Sequence, residues 1–349
     1  MSALTRPAFV IDRNAQLASS ALGAAWWVAS AVTLRAMARP KEAPADFQPT
    51  AEPAPKGLFR RAWLQAFEKD AADVAAGLYP SMSDTGESGF APRAAADFLA
   101  DALQVEARRR RGGVVEARED APASGAYPAY YRQNFHFQSG GWFTRDSARR
   151  YEAQVETLFA GAAGAMRRRA LSLLAKAWRG QDQRGLTVVD LACGSGAFLK
   201  NLGQAFPRAR LVGIDLSEAY LAEAGRRSGQ SGLVAANAER LPLADASVDA
   251  VTSIYLFHEL PPKVRQVVAG EIARVLKPGG LLAFADSIQP ADEPRLARTL
   301  QAFPAYFHEP FYASYSQLDL TDLFARAGLQ PAGEDHAFLT KAMLLEKAG

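Results

Sequence analysis

The spacing of hydrophobic and polar residues changes once along this 349-residue chain. Up to about residue 178, apolar side chains recur at helical spacing in residues 1–39, 58–78, 92–111 and 151–178, the last with a break near residues 161–164. From residue 186 onward, five short apolar runs alternate with helical segments, and two more strand-like runs follow. This alternation is typical of a doubly wound α/β sheet, here with seven strands and a mainly helical N-terminal region.

Proline density divides the chain into four predicted segments. Five prolines fall between residues 40 and 57, so we expect an extended linker there and a separate N-terminal helix over residues 1–39. Residues 58–145 form a predicted helical and aromatic domain or lid. Residues 146–349 form the predicted α/β domain, which carries the ligand-binding motifs.

Residues 17–34 carry no charge, and their length approaches that of a membrane span. They are mostly small residues, and Leu22, Trp26, Ala29 and Thr33 fall on one helical face. We therefore expect a helix packed within the N-terminal region of a cytoplasmic protein, without a cleavable targeting segment. A helix lying on a membrane surface is the alternative, which makes residues 17–38 a candidate for peripheral membrane contact.

A glycine-rich turn follows the first predicted strand. Asp190 lies in the strand end, and Gly194 and Gly196 allow a sharp turn and close approach of a ligand to the backbone. A dinucleotide fingerprint would place a third glycine where this chain has Leu199. Asp215 ends the second strand about twenty residues after the turn, where an acid can accept hydrogen bonds from both hydroxyls of a ribose.

Two further runs extend this pattern. Residues 236–243 read A-N-A-E-R-L-P-L, and residues 274–280 read R-V-L-K-P-G-G. With the D-x-x-x-G-x-G turn and the acid after the second strand, they resemble the ordered motifs of the class I S-adenosylmethionine methyltransferases. The resemblance covers residues 186–347 and points to the group that includes the ubiquinone and menaquinone C-methyltransferases (methyltransferase type 11). One departure is Asn237, where that family usually has an aspartate; its amide oxygen can still accept a hydrogen bond from an adenine amine.

The resemblance implies a Rossmann-like sheet, mostly parallel with an antiparallel last strand. It implies S-adenosylmethionine as cofactor and S-adenosylhomocysteine as product. The residues that it places at the cofactor are Asp190, Ala192, Gly194, Ser195, Gly196, Asp215, Leu216, Asn237, Ala238 and Ser253.

The loop after the fourth strand carries the predicted catalytic residues Tyr255, His258 and Glu259. Histidine titrates near neutral pH and is the natural candidate for a base; the alternative is that His258 only hydrogen-bonds the loop. Aromatic and amide side chains alternate in residues 127–142, as in a pocket wall or lid, although they could also join two domains. Residues 304–315 are a second aromatic stretch. The predicted substrate contacts are Tyr131, His136, Trp142, His308 and Tyr312.

Charge and cysteine content exclude several functions. The net charge of +3 is too small to indicate a nucleic-acid partner, and we interpret the basic runs 108–111 and 167–169 as solvated helix faces. The single cysteine, Cys193, excludes an intrachain disulfide and a cysteine metal cluster, and we interpret it as a packing residue. The four histidines lack metal-ligand spacing, so the sequence predicts no metal site.

The sequence therefore predicts a methyltransferase that acts on a small aromatic or lipophilic molecule. An RNA or protein methyltransferase, with the N-terminal region as docking module, is one alternative, and a concentrated basic face would favour it. A non-enzymatic scaffold of the same fold and a dinucleotide-dependent dehydrogenase are the others. The sequence leaves the oligomeric state open.

Overall fold

The computed structural model describes residues 12–37, 47–81, 92–111, 116, 127–229 and 232–349. Its centre is one seven-stranded sheet with the order β3-β2-β1-β4-β5-β7-β6. The strands are β1 (Thr187–Leu191), β2 (Arg210–Asp215), β3 (Gly232–Ala235), β4 (Val248–Ile254), β5 (Leu276–Ser287), β6 (Leu329–Ala337) and β7 (Thr340–Lys347). Strands β1 to β5 pair in parallel, whereas β7 runs antiparallel to both β5 and β6. The predicted fold class, including its antiparallel last strand, is confirmed.

Helices cover both faces of this sheet and form the N-terminal region. They are α1 (Arg13–Met37), α2 (Leu58–Ala75), α3 (Pro92–Arg111), α4 (Arg145–Leu158), α5 (Ala163–Ala177), α6 (Ala197–Ala205), α7 (Glu218–Ser228), α8 (Pro262–Val275), α9 (Ala297–Tyr306), α10 (Tyr312–Tyr315) and α11 (Leu320–Arg326). The described part of the predicted linker, residues 47–57, contains no helix. The rest of the predicted linker, residues 40–46, lies outside the described residues.

Strand β1 is apolar on both faces because each face meets a different helical layer. Val189 packs in the core that includes Val268 of α8, and Val188 packs in the core that includes Leu171 of α5. The side chain of Leu199, in place of a third glycine, fits because β2 has a glycine opposite it. A Cβ built on Gly213 would lie only 2.7 Å from Leu199 Cδ2. The helix therefore still packs closely on the strand, because the residue without a side chain is Gly213 of the strand and not a glycine of the helix.

The basic run 167–169 is buried, so its interpretation as a solvated helix face was wrong. Helix α5 lies between the sheet and α2, and acids from α2 meet its arginines. Both Arg168 and Arg169 are 1% exposed. Arg168 donates to both oxygens of Asp70 at 2.7 and 2.8 Å, and Arg169 lies 2.8 Å from Asp73. Arg168 and Arg169 therefore form internal ion pairs that fasten α2 to α5.

The second basic run, on α3, is mixed. Arg108 is buried and donates to the carbonyl oxygen of Phe137 at 2.5 Å and to Glu116 at 2.8 Å. Arg110 has 53% of its side chain exposed, as expected of a solvated position. Arg108 therefore fastens α3 to the aromatic segment, and the prediction of a solvated face was wrong at that residue.

Helix α1 packs through a different face from the one that carries Leu22. Ala24 and Trp27 are buried, whereas Leu22 is 77% exposed. The reason is a close approach at Gly161, since a Cβ on this glycine would lie 2.8 Å from Ala24 Cα. A small residue, Ala24, must therefore face Gly161, and the helix face that carries Leu22 points outward. Within the described parts of the chain, no helix is long and apolar enough to cross a membrane.

Candidate functional site

A cavity of about 160 Å³ opens at the carboxyl ends of the central strands, next to the point where the strand order reverses between β1 and β4. Predicted site residues that line this cavity are Tyr131, Trp142, Asp190, Ala192, Gly194, Ser195, Asp215, Leu216, Asn237, Ala238, Tyr255 and Glu259. Predicted site residues outside its lining are His136, Gly196, Ser253, His258, His308 and Tyr312. The structure thus brings most of the predicted cofactor residues to one surface together with part of the predicted substrate set.

The turn after β1 is tight, and its backbone forms the floor of the cavity. Ala192, Gly194 and Gly196 all have positive φ, at 57°, 53° and 81°. At Gly196 a Cβ would lie 2.8 Å from Ala224 Cα, so only glycine allows α6 to begin this close to α7. Cys193 lies buried within the turn, and burial raises the pKa of its thiol. A thiol that stays protonated fits a packing role better than a nucleophilic one.

Asp215 is held in place by the backbone at the end of β2. Its Oδ2 accepts a hydrogen bond from the N–H of Gly194 at 2.8 Å, and its Oδ1 accepts one from the N–H of Ser217 at 2.8 Å. Burial nevertheless raises the pKa of this carboxyl. Because each oxygen can accept a second bond, the carboxylate can also receive the hydroxyls of a sugar at the cavity wall.

Asp190 presents an unsatisfied oxygen to the same cavity. It is 1% exposed, and its Oδ1 accepts a 2.6 Å hydrogen bond from Thr252 Oγ1. Its Oδ2 has no hydrogen-bond partner among the described residues, and burial raises the pKa of the carboxyl to about 7. A buried carboxylate in this state favours a cationic ligand. S-adenosylmethionine, the cofactor implied by the motifs, carries a sulfonium and an ammonium group, so the site fits it.

Asn237 lies in the loop after β3, and Glu239 orients it. Its Oδ1 accepts from the N–H of Glu239 at 2.9 Å, and its Nδ2 donates to Glu239 Oε1 at 3.2 Å. The amide oxygen keeps a second lone pair for a ligand. The contact between Asn237 and an adenine amine stays a prediction.

An ion pair that the sequence did not predict lies beneath the glycine turn. Arg167 of α5 lies 2.6 Å from Glu152 of α4, and both line the cavity. Ser195 Oγ donates a 2.6 Å hydrogen bond to the other oxygen of Glu152. The two charges look like ordinary helical charges in the sequence. Only the unusual Ala-rich surroundings of the arginines could have indicated burial.

Aromatic residues from the N-terminal region form the opposite wall. Trp142 packs against Tyr151 and Tyr220, with ring centroids 5.5 and 5.3 Å apart, and Tyr130 and Phe135 extend the wall. The second aromatic stretch lies behind this wall. His308 Nε2 lies 2.6 Å from Gln133 Oε1, and Tyr312 Oη lies 2.6 Å from Ser287 Oγ. The substrate roles of His308 and Tyr312 stay predictions, and neither residue lines the cavity.

The three predicted catalytic residues on the loop after β4 do not all reach the cavity. Tyr255 and Glu259 line the cavity, whereas His258 is buried behind them with its Nδ1 2.5 Å from Asp286 Oδ1. Burial lowers the pKa of His258, but the Asp286 carboxylate outweighs this effect and raises it to about 9. His136 lies beside Glu259 and Glu309, and these carboxylates, acting against burial, raise its pKa to about 10. Two histidines far apart in sequence therefore share one acidic cluster.

The sequence is similar to those of known methyltransferases. The family described as "Methyltransferase domain" matches residues 189–284. A demethylmenaquinone methyltransferase of Beutenbergia cavernae is 32% identical over 55% of this chain and 70% of the relative. A ubiquinone/menaquinone biosynthesis C-methyltransferase of Desulfotalea psychrophila is 32% identical over 40% of this chain and 64% of the relative. A fatty-acid O-methyltransferase of Mycolicibacterium smegmatis is 34% identical over 35% of this chain and 45% of the relative, so this chain spans less than two thirds of two of these three relatives.

Proposed function

Since the chain belongs to the S-adenosylmethionine-dependent methyltransferases, we propose that it transfers a methyl group to a small aromatic or lipophilic acceptor. The observation that carries this proposal is one cavity with two kinds of wall. The glycine turn and Asp215 form the polar wall, and Tyr131 and Trp142 belong to the aromatic one. A flat apolar acceptor suits the aromatic wall, beside the cofactor.

The polar wall offers a partner for each polar part of the cofactor. We assign the ribose hydroxyls to Asp215, the cationic end to Asp190 and the adenine to Asn237. Arg167, on the same wall, can hold the carboxylate of the methionine moiety. The bound cofactor supplies an electrophilic methyl group on its sulfonium. These residues fix its orientation, and alignment of two reacting groups can supply roughly 7–11 kcal/mol of the barrier reduction.

The predicted catalytic loop contacts the acceptor through Glu259 and Tyr255 in this proposal. Both line the cavity, and Tyr255 is fixed by a 2.5 Å hydrogen bond to Thr340 Oγ1. His258 is 8% exposed, and its Nε2 lies 3.7 Å from Glu259 Oε1. An effect of His258 on the acceptor therefore passes through Glu259, and His258 is a positioning residue here. Its role as a base stays a prediction.

The position of the arginines argues against an RNA or protein acceptor. A basic docking face over residues 93–111 and 167–179 would favour such an acceptor. The run 167–169 and Arg108 are instead buried. The names of the relatives, which refer to demethylmenaquinone, ubiquinone and a fatty acid, also support a lipophilic acceptor.

Peripheral membrane contact through residues 17–38 stays part of this proposal. Helix α1 exposes Leu22, Val28 and Val32, which are 77%, 39% and 59% exposed. An apolar helix surface of this kind can lie against lipid, where a lipophilic acceptor would be found.

Comparison of cells with and without the gene tests the proposed acceptor class. Both cultures would grow with methionine labelled in its methyl group, and their lipid-soluble extracts would be compared by mass spectrometry. The proposal predicts a labelled aromatic or lipophilic compound that only the gene-bearing cells contain. If the lipid-soluble extracts are identical and the labelled RNA or protein differs between the two cultures, the alternative of an RNA or protein methyltransferase is favoured.

A further inference from the structure

Four side chains from three separate segments meet beside the cavity, which one of them, Glu259, also lines: His136, His258, Glu259 and Glu309. Each offers one ligand atom, and these atoms all lie within 4.8 Å of one another. We propose that they form a binding site for one divalent transition-metal cation. The prediction that no metal site exists rested on spacing along the chain, and here the ligands come from distant positions.

The distances in the cluster fit an ion of this kind. Nitrogen and oxygen ligands bind Zn²⁺ at about 2.0–2.2 Å, which in a tetrahedral site places ligand atoms roughly 3.3–3.6 Å apart. Glu259 Oε1 lies 3.4 Å from His136 Nε2 and 3.7 Å from His258 Nε2. Glu309 Oε1 contacts His136 Nε2 directly. Small side-chain movements would therefore be enough to surround an ion.

The protein groups around the two carboxylates leave them incompletely satisfied. Glu309 is 3% exposed, and apart from its ion contact with His136 neither of its oxygens has a hydrogen-bond partner among the described residues. Glu259 Oε2 is also buried without a hydrogen bond among the described residues. Buried carboxylates are stable when they are paired or coordinate a cation. A divalent ion would satisfy both acids at once.

His258 has the surroundings of a metal-bound histidine. Its Nδ1 pairs with Asp286 Oδ1 at 2.5 Å, and Asp286 is itself fixed by the N–H groups of Phe257 and His258 at 2.8 and 3.3 Å. When Nδ1–H donates to Asp286, the lone pair of Nε2 faces Glu259 and the cluster. A carboxylate behind a ligating histidine sets its tautomer and ring orientation in metal sites.

The backbone around His136 is also held in an uncommon conformation. His136 and Phe137 have φ of 57° and 56°, two successive non-glycine residues in the left-handed region. The N–H of His136 donates to the carbonyl oxygen of His308 at 3.2 Å, next to Glu309. Such strain persists only where the surroundings enforce it, and it is concentrated at binding sites. Here it aims an imidazole at two acids.

The ligand set indicates the class of ion. Two imidazoles and two carboxylates suit Zn²⁺, Mn²⁺ or Fe²⁺, whereas Mg²⁺ and Ca²⁺ prefer oxygen ligands alone. The bound ion would join the aromatic segment at His136 to the loop after β4 and the segment before α10. Binding of the ion does not depend on the identity of the methyl acceptor.

The test is calorimetry of Zn²⁺ binding to the full-length protein after removal of metal by a chelator. The wild type should bind one Zn²⁺ per chain, and Glu309→Gln should weaken binding at least tenfold. Asp286→Asn, which leaves all four ligands in place, should weaken it by roughly 10–100-fold. The matched control is Glu334→Gln, in a half-exposed cluster with Asp292 and His336.

Affinity for S-adenosylhomocysteine measures folding of each variant and keeps a metal defect apart from failure of the proposed function. If Glu309→Gln does not bind S-adenosylhomocysteine, the proposal is judged from two other measurements. These are the Zn²⁺ affinity of Asp286→Asn and the rise in Tm that Zn²⁺ produces in the wild type. No stoichiometric Zn²⁺ binding by the wild type would overturn the proposal. Unchanged affinity in both cluster variants, or a loss only in Glu334→Gln, would overturn it as well.

Discussion

Tyr130 Oη donates a 2.7 Å hydrogen bond to Glu239 Oε1, which joins the aromatic segment to the loop after β3. The same oxygen of Glu239 accepts from Asn237 Nδ2 at 3.2 Å. One carboxylate therefore orients the residue assigned to adenine and holds the aromatic wall assigned to the acceptor. Coupling between the two ligands is the expected consequence.

Tyr130→Phe should raise the KM for the acceptor severalfold, because it removes this bond and keeps the ring. A hydrogen bond to a charged group contributes about 1.5–3 kcal/mol when buried, and about 1 kcal/mol is expected at this half-buried site. Steady-state kinetics of Tyr130→Phe, Glu239→Gln and the double variant measure the coupling. We expect the double variant to lose little more than either single variant. Strictly additive losses would show that the bond does not couple the two walls.

Asp215→Ala should lower the affinity for S-adenosylmethionine and S-adenosylhomocysteine by roughly 10–100-fold, since hydrogen bonds to a charged group contribute about 1.5–3 kcal/mol. Titration calorimetry with both ligands gives the values. Asp182→Ala, at an acid with 53% of its side chain exposed, is the control and should bind like the wild type. Equal affinities in Asp215→Ala and the wild type would remove the ribose assignment.

Gly196→Ala should weaken cofactor binding and lower Tm, and a second glycine separates the two causes. Gly196 and Gly180 have nearly the same φ, 81° and 80°, but only at Gly196 would a Cβ meet Ala224 Cα, at 2.8 Å. Backbone strain should cost about 1 kcal/mol at either site. The larger loss in Gly196→Ala then measures the close approach of α6 and α7. Equal changes in Tm for the two variants would contradict this packing argument.

Asp70→Asn should destabilise the protein by about 3–5 kcal/mol at neutral pH, because Arg168 loses this buried charged partner. Burial raises the pKa of Asp70, but Arg168 outweighs this and lowers it below its ordinary value. A carboxyl with a depressed folded pKa stabilises the fold above about pH 4 and loses that contribution as the pH falls through its folded pKa. Urea unfolding from about pH 7 to pH 3.5 should therefore show a constant difference that begins to shrink at the acid end. A difference that grows on acidification would contradict the assignment.

Local sequence signals predicted the sheet and the polar half of the site. The apolar run at β1, the glycines after it and Asp215 at the end of β2 each lie within a few residues of the feature that they define. The parallel strand order then brings them together without further information. Leu199, in place of a third glycine, does not disturb this arrangement, because Gly213 in the adjacent strand leaves room for the leucine side chain.

Pairings between distant segments could not be predicted. In the sequence, Arg168 looks like a solvent-exposed residue, because its partner Asp70 lies on a different helix, α2. The predicted packing face of α1 was wrong, because the close approach of Gly161 requires Ala24 at the contact. His136 and Glu309 have no spacing that indicates a common cluster. Each of these contacts depends on how whole helices and loops pack, which hydrophobic periodicity does not specify.

The most direct test of the proposed acceptor class uses purified protein and S-adenosylmethionine with a labelled methyl group. The protein is incubated with a cell extract separated into lipid-soluble, RNA and protein fractions, and the label in each fraction is counted. We expect label in the lipid-soluble fraction, and we expect Asp215→Ala to abolish it. Label confined to the RNA or protein fraction would contradict it.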